Sequence, residues 1–543
     1  MRKLVMLAVC AALIGCTKVG TQTAGPEGGR HAYTHPHELR YATAEDITGL
    51  NPHLATQTVV SYLTQLTMAY LLRTGPHNEP VPELAVAVPS KANGGISPDG
   101  KAITYHLRKG VVWSDGAPFN ADDVVFSTNV VLNPANNEIS RTGWDHITKI
   151  DEPDKYTVVY HLKKPYASYA YTYFSTAGAN PCLLPKHLLA KYPNINNIAY
   201  NSLPIGIGPF KYVQWKRSDF VELVANPSYF RGKPKLNRII FKIIPDRNTV
   251  LTELQSHEID LWSPVAANYY DRIKALPGIT LLKHPGYYFG HIDFNVGHPV
   301  LKDVAVRQAL RYAIDRQTIK EKIRHGLGIV QDDMVSPANP AFDPKVPTTP
   351  FDIVKANALL DGDGWKRGPD GVRRKGSLRL SLVFATSTGT PDTDQEIELI
   401  RGWWKQIGAE IDVKRYPSPL FFGPYSQGGI LYAGKFDLAT FQWSGDPQGD
   451  LSNLYECNQF PPNGQNVVRY CNATVDAAME KFKTLYEFKE RQPYADFIQT
   501  QLQKDAPTIV TSISDDIFAY NSDLKGFNPN QLGPFDDFMH VDI

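Results

Sequence analysis

Apolar and polar positions alternate in short runs along this chain, and each run reads as a half-buried strand. Ile103–Arg108 (ITYHLR) follows a Pro98-Asp99-Gly100 turn. Tyr156–Leu162, Phe210–Trp215, Val221–Ala225, Ile239–Ile244, Ile259–Trp262, Leu378–Phe384 and Ile411–Lys414 repeat the pattern. Between them lie runs with helical spacing, several opened by a residue suited to cap free backbone amides. Asn120 precedes a helix over Ala121–Thr128, with Asp122 and Asp123 set against its positive end. Asp246 precedes a helix through Leu254, and Asp303 one over Val304–Ile319 that gathers Val306, Leu310, Ala313 and Ile314 on one face. Asp352 opens a helix that stops at Gly362 and Gly364, and Asp394–Ile407 forms another. Strands alternating with helices predict an α/β fold. Pro337–Pro350 reads as a loop or a crossing between domains, and no internal repeat is present.

The first residues follow a different pattern. Arg2 and Lys3 precede an apolar stretch, Leu4–Ile14, too short to span a bilayer. It ends in Leu13-Ile14-Gly15-Cys16, which resembles the bacterial lipobox. Residues 1–15 are therefore expected to be a signal peptide, with Cys16 lipidated and holding the mature protein to a membrane of the cell envelope. Residues 16–37 carry six glycines or prolines and no apolar period, so they read as a flexible tether. His31, His35 and His37 lie in it as solvated residues. Export implies an oxidising compartment. Of the cysteines beyond Cys16, Cys457 and Cys471 flank a turn-rich stretch and are the expected disulfide, which leaves Cys182 as a single thiol.

The length of 543 residues allows two or three domains. The formal net charge is +1, or −1 once Arg2 and Lys3 are removed, and no Lys/Arg-rich run supplies the cationic face that nucleic acid requires. No Gly-x-Ser-x-Gly, His-Glu-x-x-His or Cys-x-x-Cys motif is present, which speaks against a hydrolase or a structural metal. Gly95–Lys101 approaches a phosphate loop but leads into a strand, so it reads as a hairpin turn. Asp361-Gly362-Asp363-Gly364 lacks the later ligands of a calcium loop.

Thr104–Ser127 (TYHLRKGVVWSDGAPFNADDVVFS) resembles the signature of the bacterial extracellular solute-binding proteins, family 5, the oligopeptide, dipeptide and nickel class. Ile207–Lys211 with Trp215, Leu254–Asp260, Asn295, Val304–Arg316, Asp352–Trp365 and Glu396–Ala409 fit further segments of that family in the same order. His257 stands where the family usually has glycine, at a helix end that calls for a left-handed backbone. Most of these residues read as packing, and the arginines of Val304–Arg316 as members of ion pairs.

The resemblance implies a periplasmic binding protein type II fold of three domains. Domain I would be assembled from 38–80, 201–285 and 506–543, domain II from 81–200 and domain III from 286–505. A ligand would lie between domains I and III, with two chain crossings as the hinge. The implied function is capture of a peptide for an ABC permease and its ATPase by a monomer, without catalysis, cofactor or metal. Relatives of the same fold that bind metal complexes, sugars or opines, and a sensor or chaperone use of the fold, are the alternatives. By the same resemblance Asp446, in Trp443-Ser444-Gly445-Asp446-Pro447, pairs with the ligand's α-ammonium, with Asp450 as the substitute. Gly445 would let backbone approach and Trp443 would form an apolar wall. Thr56, Gln57 and Thr58 would pair with ligand backbone or cap a helix. Dipeptide-type relatives tend to carry an arginine for the ligand carboxylate before the Glu396 helix. Ala385–Asp394 contains neither Lys nor Arg, which favours a longer peptide over a strict dipeptide.

Overall fold

A computed structural model describes residues 29–55, 57–177, 181–388 and 391–543. The signal segment 1–15, Cys16 and Thr56 lie outside the described residues. Ten strands form one sheet: β1 (Glu38–Thr43), β2 (Phe210–Lys216), β3 (Phe220–Ala225), β4 (Arg238–Ile243), β5 (Leu261–Trp262), β6 (Ile279–Phe294), β7 (Ser381–Ser387), β8 (Glu410–Tyr416), β9 (Leu438–Ser444) and β10 (Thr508–Asn521). Their order is β8-β7-β9-β6-β10-β5-β1-β4-β3-β2.

β6 and β10 are the two longest strands, and they pair antiparallel along nearly their whole length. One end of this ribbon joins β5 and, through it, β1 and β4; the other joins β9, β7 and β8. Among the described strands the ribbon alone connects the two halves of the sheet. Its pairing is broken in the middle, where Gly286, Tyr287 and Tyr288 of β6 stand opposite Ser514 of β10. An unpaired bulge of this kind bends more readily than continuous ladder.

A separate three-stranded sheet joins 102–106, 157–162 and 147–154 in that order. Its core is aromatic, with Trp113, Trp144, Tyr105, Tyr160 and Tyr173 buried together. Helix α1 (Thr58–Thr67) places Val59, Val60, Leu63 and Leu66 on one face against Leu39, Tyr41 and Phe241 of the sheet. Helix α2 (Ala121–Leu132) starts as its sequence predicts, with reciprocal capping between Asn120 and Asp123. The Asp246, Asp303 and Asp352 caps are also formed. His257 has φ 58°, the left-handed conformation expected of that helix end.

Three expectations need correction. The helix over Val304–Ile319 is two helices, Val304–Tyr312 and Arg316–Lys322, because Asp315 accepts the Thr318 amide and caps a new start. Among the described residues Arg307 forms no ion pair; its guanidinium donates to the carbonyls of Leu301, Lys302, Asp505 and Ala506. Arg316 does pair, with Asp332 at 2.6 Å, and Arg311 lies 3.6 Å from the same carboxylate. The last part of the tether is docked. His31 and Thr34 bond Asp523, His37 bonds Asp542, and Tyr33 stacks on His257 at 3.5 Å between ring centres. Acidic side chains of the C-terminal segment draw in these histidines, so they are neither free nor clustered around a metal. Among the described residues no group of side chains forms a metal site.

Candidate functional site at the carboxyl ends of the strands

β1, β4 and β5 run parallel, and so do β7, β8 and β9. Each set points its carboxyl ends toward the bulged middle of the β6–β10 ribbon. Ser444, the last residue of β9, pairs with Tyr288, and the loop after β5 bonds Ile517 through the Val265 amide. In open α/β sheets the loops beyond carboxyl ends form the binding crevice. Here two such crevices face one another across a hinge.

Asp446 lies just beyond β9. Its backbone is held from three sides: Asn339 donates to its carbonyl at 2.9 Å, the Gly449 amide donates to the same carbonyl at 3.0 Å, and the Gly445 amide bonds the Tyr287 carbonyl at 2.8 Å. A Cβ at Gly445 would stand 3.0 Å from that Tyr287 oxygen, so the close approach Gly445 permits is to the hinge strand. Oδ1 of Asp446 accepts the amides of Gln448 (2.8 Å) and Asp450 (3.1 Å). Among the described residues Oδ2 receives no hydrogen bond.

Burial and the Asp450 carboxylate push the Asp446 pKa up to about 7, against the pull of two amides and of Arg491. Arg491, from helix α4 (Phe488–Asp505; helix α3 is Pro391–Gln406), is buried between Phe482 and Phe488 and donates to Gln448 at 2.5 Å. It acts on Asp446 from beyond ion-pair distance, and among the described residues no cation pairs with Asp446. Tyr166 and Tyr171, from the part of the chain that carries the small sheet, feel the Asp446 charge, as does Tyr287. The carboxylate thus stands where the loop after β9, the β6 bulge and the small sheet's segment come near one another. Asp450 differs, because its Oδ1 accepts both the amide and the hydroxyl of Ser452.

The other sequence candidates are distributed around this point. Ser444 is exposed and Trp443 half-buried on the opposite face of β9. Trp443 lines a narrow cavity with Phe289, His291, Asp293, Phe441 and Tyr455. Thr58 is exposed at the first turn of α1, and Gln57 precedes it and bonds Thr48. Neither side chain caps the helix; the carboxylate of Glu45 accepts the Val59 amide instead. Cys457 and Cys471 form a disulfide, and Cys182 is buried and free. Arginines do reach the start of α3, but both are occupied: Arg324 by Glu396 at 2.8 Å and Arg415 by Asp394 at 2.6 Å. Tyr287, Asn339 and Arg491 were not legible as site residues, because each comes from a distant segment and carries no local motif; Gln448, two residues after Asp446, was not singled out either.

The family profile described as bacterial extracellular solute-binding proteins, family 5 (middle), matches residues 79–464. The chain belongs to this family. Family 5 members with similar sequences include the oligopeptide-binding protein AppA of Bacillus subtilis, 27% identical over 435 residues, which are 79% of this chain and 78% of AppA. The dipeptide-binding protein of Escherichia coli is 25% identical over 461 residues, 81% of this chain and 83% of that protein. Among solved structures, NikZ of Campylobacter jejuni in complex with Ni(L-His) superposes with a TM-score of 0.76 at 26% identity, covering 94% of this chain and 100% of NikZ. The sheet divided by a two-strand ribbon is accordingly the solute-binding fold of family 5.

Proposed function

We propose that this family 5 protein captures a peptide in the cleft between the halves of its sheet and passes it unaltered to an ABC-type membrane permease. The observation that carries the reading is Asp446: one oxygen is fixed by two amides, and among the described residues the other receives no hydrogen bond. A carboxylate held away from water is costly until a cation reaches it, and a peptide's α-ammonium supplies both charge and donors. Ligand entry neutralises Asp446, and the halves turn toward each other about the bulge at Gly286–Tyr288. Exposed Thr58 and the edge near Ser444 then offer polar contacts to the peptide backbone.

Among the described residues both arginines that reach the start of α3 are paired, which supports a peptide whose C-terminus is not fixed. The names of AppA and of the dipeptide-binding protein accord with this reading. Domains I, II and III with the boundaries given above, the lipid anchor on Cys16, placement in the cell envelope and a monomeric state belong to the same proposal. Small-angle scattering of the purified chain with and without a mixed tri- to pentapeptide library tests it, together with mass spectrometry of the recovered peptides. Compaction with intact peptides is expected. No compaction with any peptide, or release of cleaved products, would overturn the reading.

A further inference from the structure

The hinge carries a second carboxylate that the peptide's α-ammonium does not use. Asp515 and Asp516 lie side by side on β10 beside the bulge. Asp515 is satisfied, by Lys283 at 3.2 Å and by the Gly328 amide at 2.9 Å. Asp516 receives no hydrogen bond from the described residues, and its one ion-pair contact among them is the Nδ1 of His284 at 4.0 Å. Burial holds that imidazole below its ordinary pKa, so it does not supply a proton to the pair at neutral pH.

The Asp516 carboxyl projects across the β6 bulge. A Cβ at Gly286 would stand 2.6 Å from its Oδ1, so glycine at 286 leaves room for it. Its side chain keeps 29% exposure, enough for a ligand to reach. Tyr62 of α1 and Tyr288 of β6 both feel its charge, and Glu45 acts on the same two tyrosines. These neighbours add aromatic surface and negative potential but no lysine or arginine. Burial and Asp515 push the Asp516 pKa up to about 7, the signature of a carboxylate that lacks its counter-charge. Carboxylates and tyrosine faces together favour an ammonium or guanidinium.

We infer that Asp516, beside the β6 bulge and within the electrostatic reach of Tyr62 and Tyr288, is a second cation subsite of the cleft, and that preferred ligands are peptides carrying a lysine or arginine side chain besides their α-ammonium. This rests on the peptide reading proposed above.

Isothermal titration of the full mature chain tests it. The probes are alanine tetrapeptides with lysine, or its uncharged counterpart norleucine, placed at each position in turn. At one position lysine is expected to bind at least tenfold more tightly than norleucine, and Asp516→Asn is expected to reduce that ratio to within twofold. Equal affinities for lysine and norleucine at every position in the wild-type chain would overturn the inference and leave the peptide reading intact. A ratio that persists in Asp516→Asn would place the cation elsewhere and overturn it too. No binding of any tetrapeptide would overturn both readings.

Discussion

If Asp446 is the amine partner, affinity must fall as the medium is acidified, and the structure fixes how steeply. In the empty cleft the Asp446 pKa is about 7. Paired with an ammonium, the carboxyl returns to the ordinary range near ~4 or below. At pH 5 about one empty molecule in a hundred holds Asp446 ionised, so binding must first expel a proton. The cost is about 1.4 kcal/mol per pH unit, or about 2.7 kcal/mol at pH 5, which is roughly a hundredfold weaker Kd than above pH 7. Above pH ~8 the peptide amine itself loses its proton. Affinity should therefore peak between about 7 and 8 for a peptide without ionisable side chains. Titration calorimetry at intervals from pH 5 to 9, in two buffers of different ionisation heat, reads both Kd and the proton released, about one per peptide at pH 5. The acid limb should vanish in Asp446→Asn. A wild-type Kd constant within twofold from pH 5 to 7 would refute the reasoning.

Further outcomes follow from the same geometry. A carboxyl with a folded pKa near 7 and an unfolded value near ~3.9 binds its proton more tightly in the folded state. Its contribution to stability is thus full below about 3.9 and lost as pH rises to 7, so Asp446→Asn should stabilise the empty protein at pH 8, on the order of 1–3 kcal/mol, and not at pH 4; equal effects in urea unfolding at both pH values would contradict this. Asn339→Ala, which removes the 2.9 Å bond to the Asp446 carbonyl, should weaken peptide binding by about 1 kcal/mol, roughly fivefold in Kd, with little change in melting temperature. Asp332→Ala leaves Arg316 and Arg311 buried without a carboxylate and should cost about 3–5 kcal/mol in denaturant unfolding; a loss below 1 kcal/mol would show the pair to be dispensable. Replacing Cys457 and Cys471 by serine opens a loop of sequence separation 14 and should cost about 3 kcal/mol, read as a lower midpoint under non-reducing conditions.

What the sequence revealed of the fold depended on burial. Half-buried strands such as Phe220–Ala225 and Arg238–Ile243 alternate apolar and polar residues, and that alternation is visible in the chain. The two strands that form the hinge escaped. β6 carries Pro285, Gly286 and Gly290, and β10 reads TIVTSISDDIFAYN; both are covered on two faces over much of their length, so neither keeps a period of two. The ladder between them is interrupted at Gly286–Tyr288 and shifts again after Gly290, and these breaks are what make the ribbon a hinge. Several capped helix starts were legible, as at Asn120 and Asp352, though the one at Asn472 was not. The break before Arg316 was missed because apolar spacing continues through Ala313 and Ile314 while Asp315 starts a new helix.

The candidate site was partly legible. Asp446 stood out through family likeness, but its supports at Tyr287, Asn339 and Arg491 are brought together only by the fold. Asp515-Asp516 was a signal available in the chain, two acids inside an otherwise apolar and hydroxyl-bearing run, and it becomes informative once that run is seen to cross the cleft.

The central claim is that a cleft carboxylate grips a free peptide amine. A cycle combining peptide N-acetylation with Asp446→Asn, read as four Kd values at pH 7.5, measures that contact alone. The account predicts that acetylation weakens wild-type binding about a hundredfold and leaves Asp446→Asn binding within about threefold, a coupling near 2 kcal/mol. If acetylation weakens both proteins equally, the amine is bound somewhere other than Asp446 and the account is wrong.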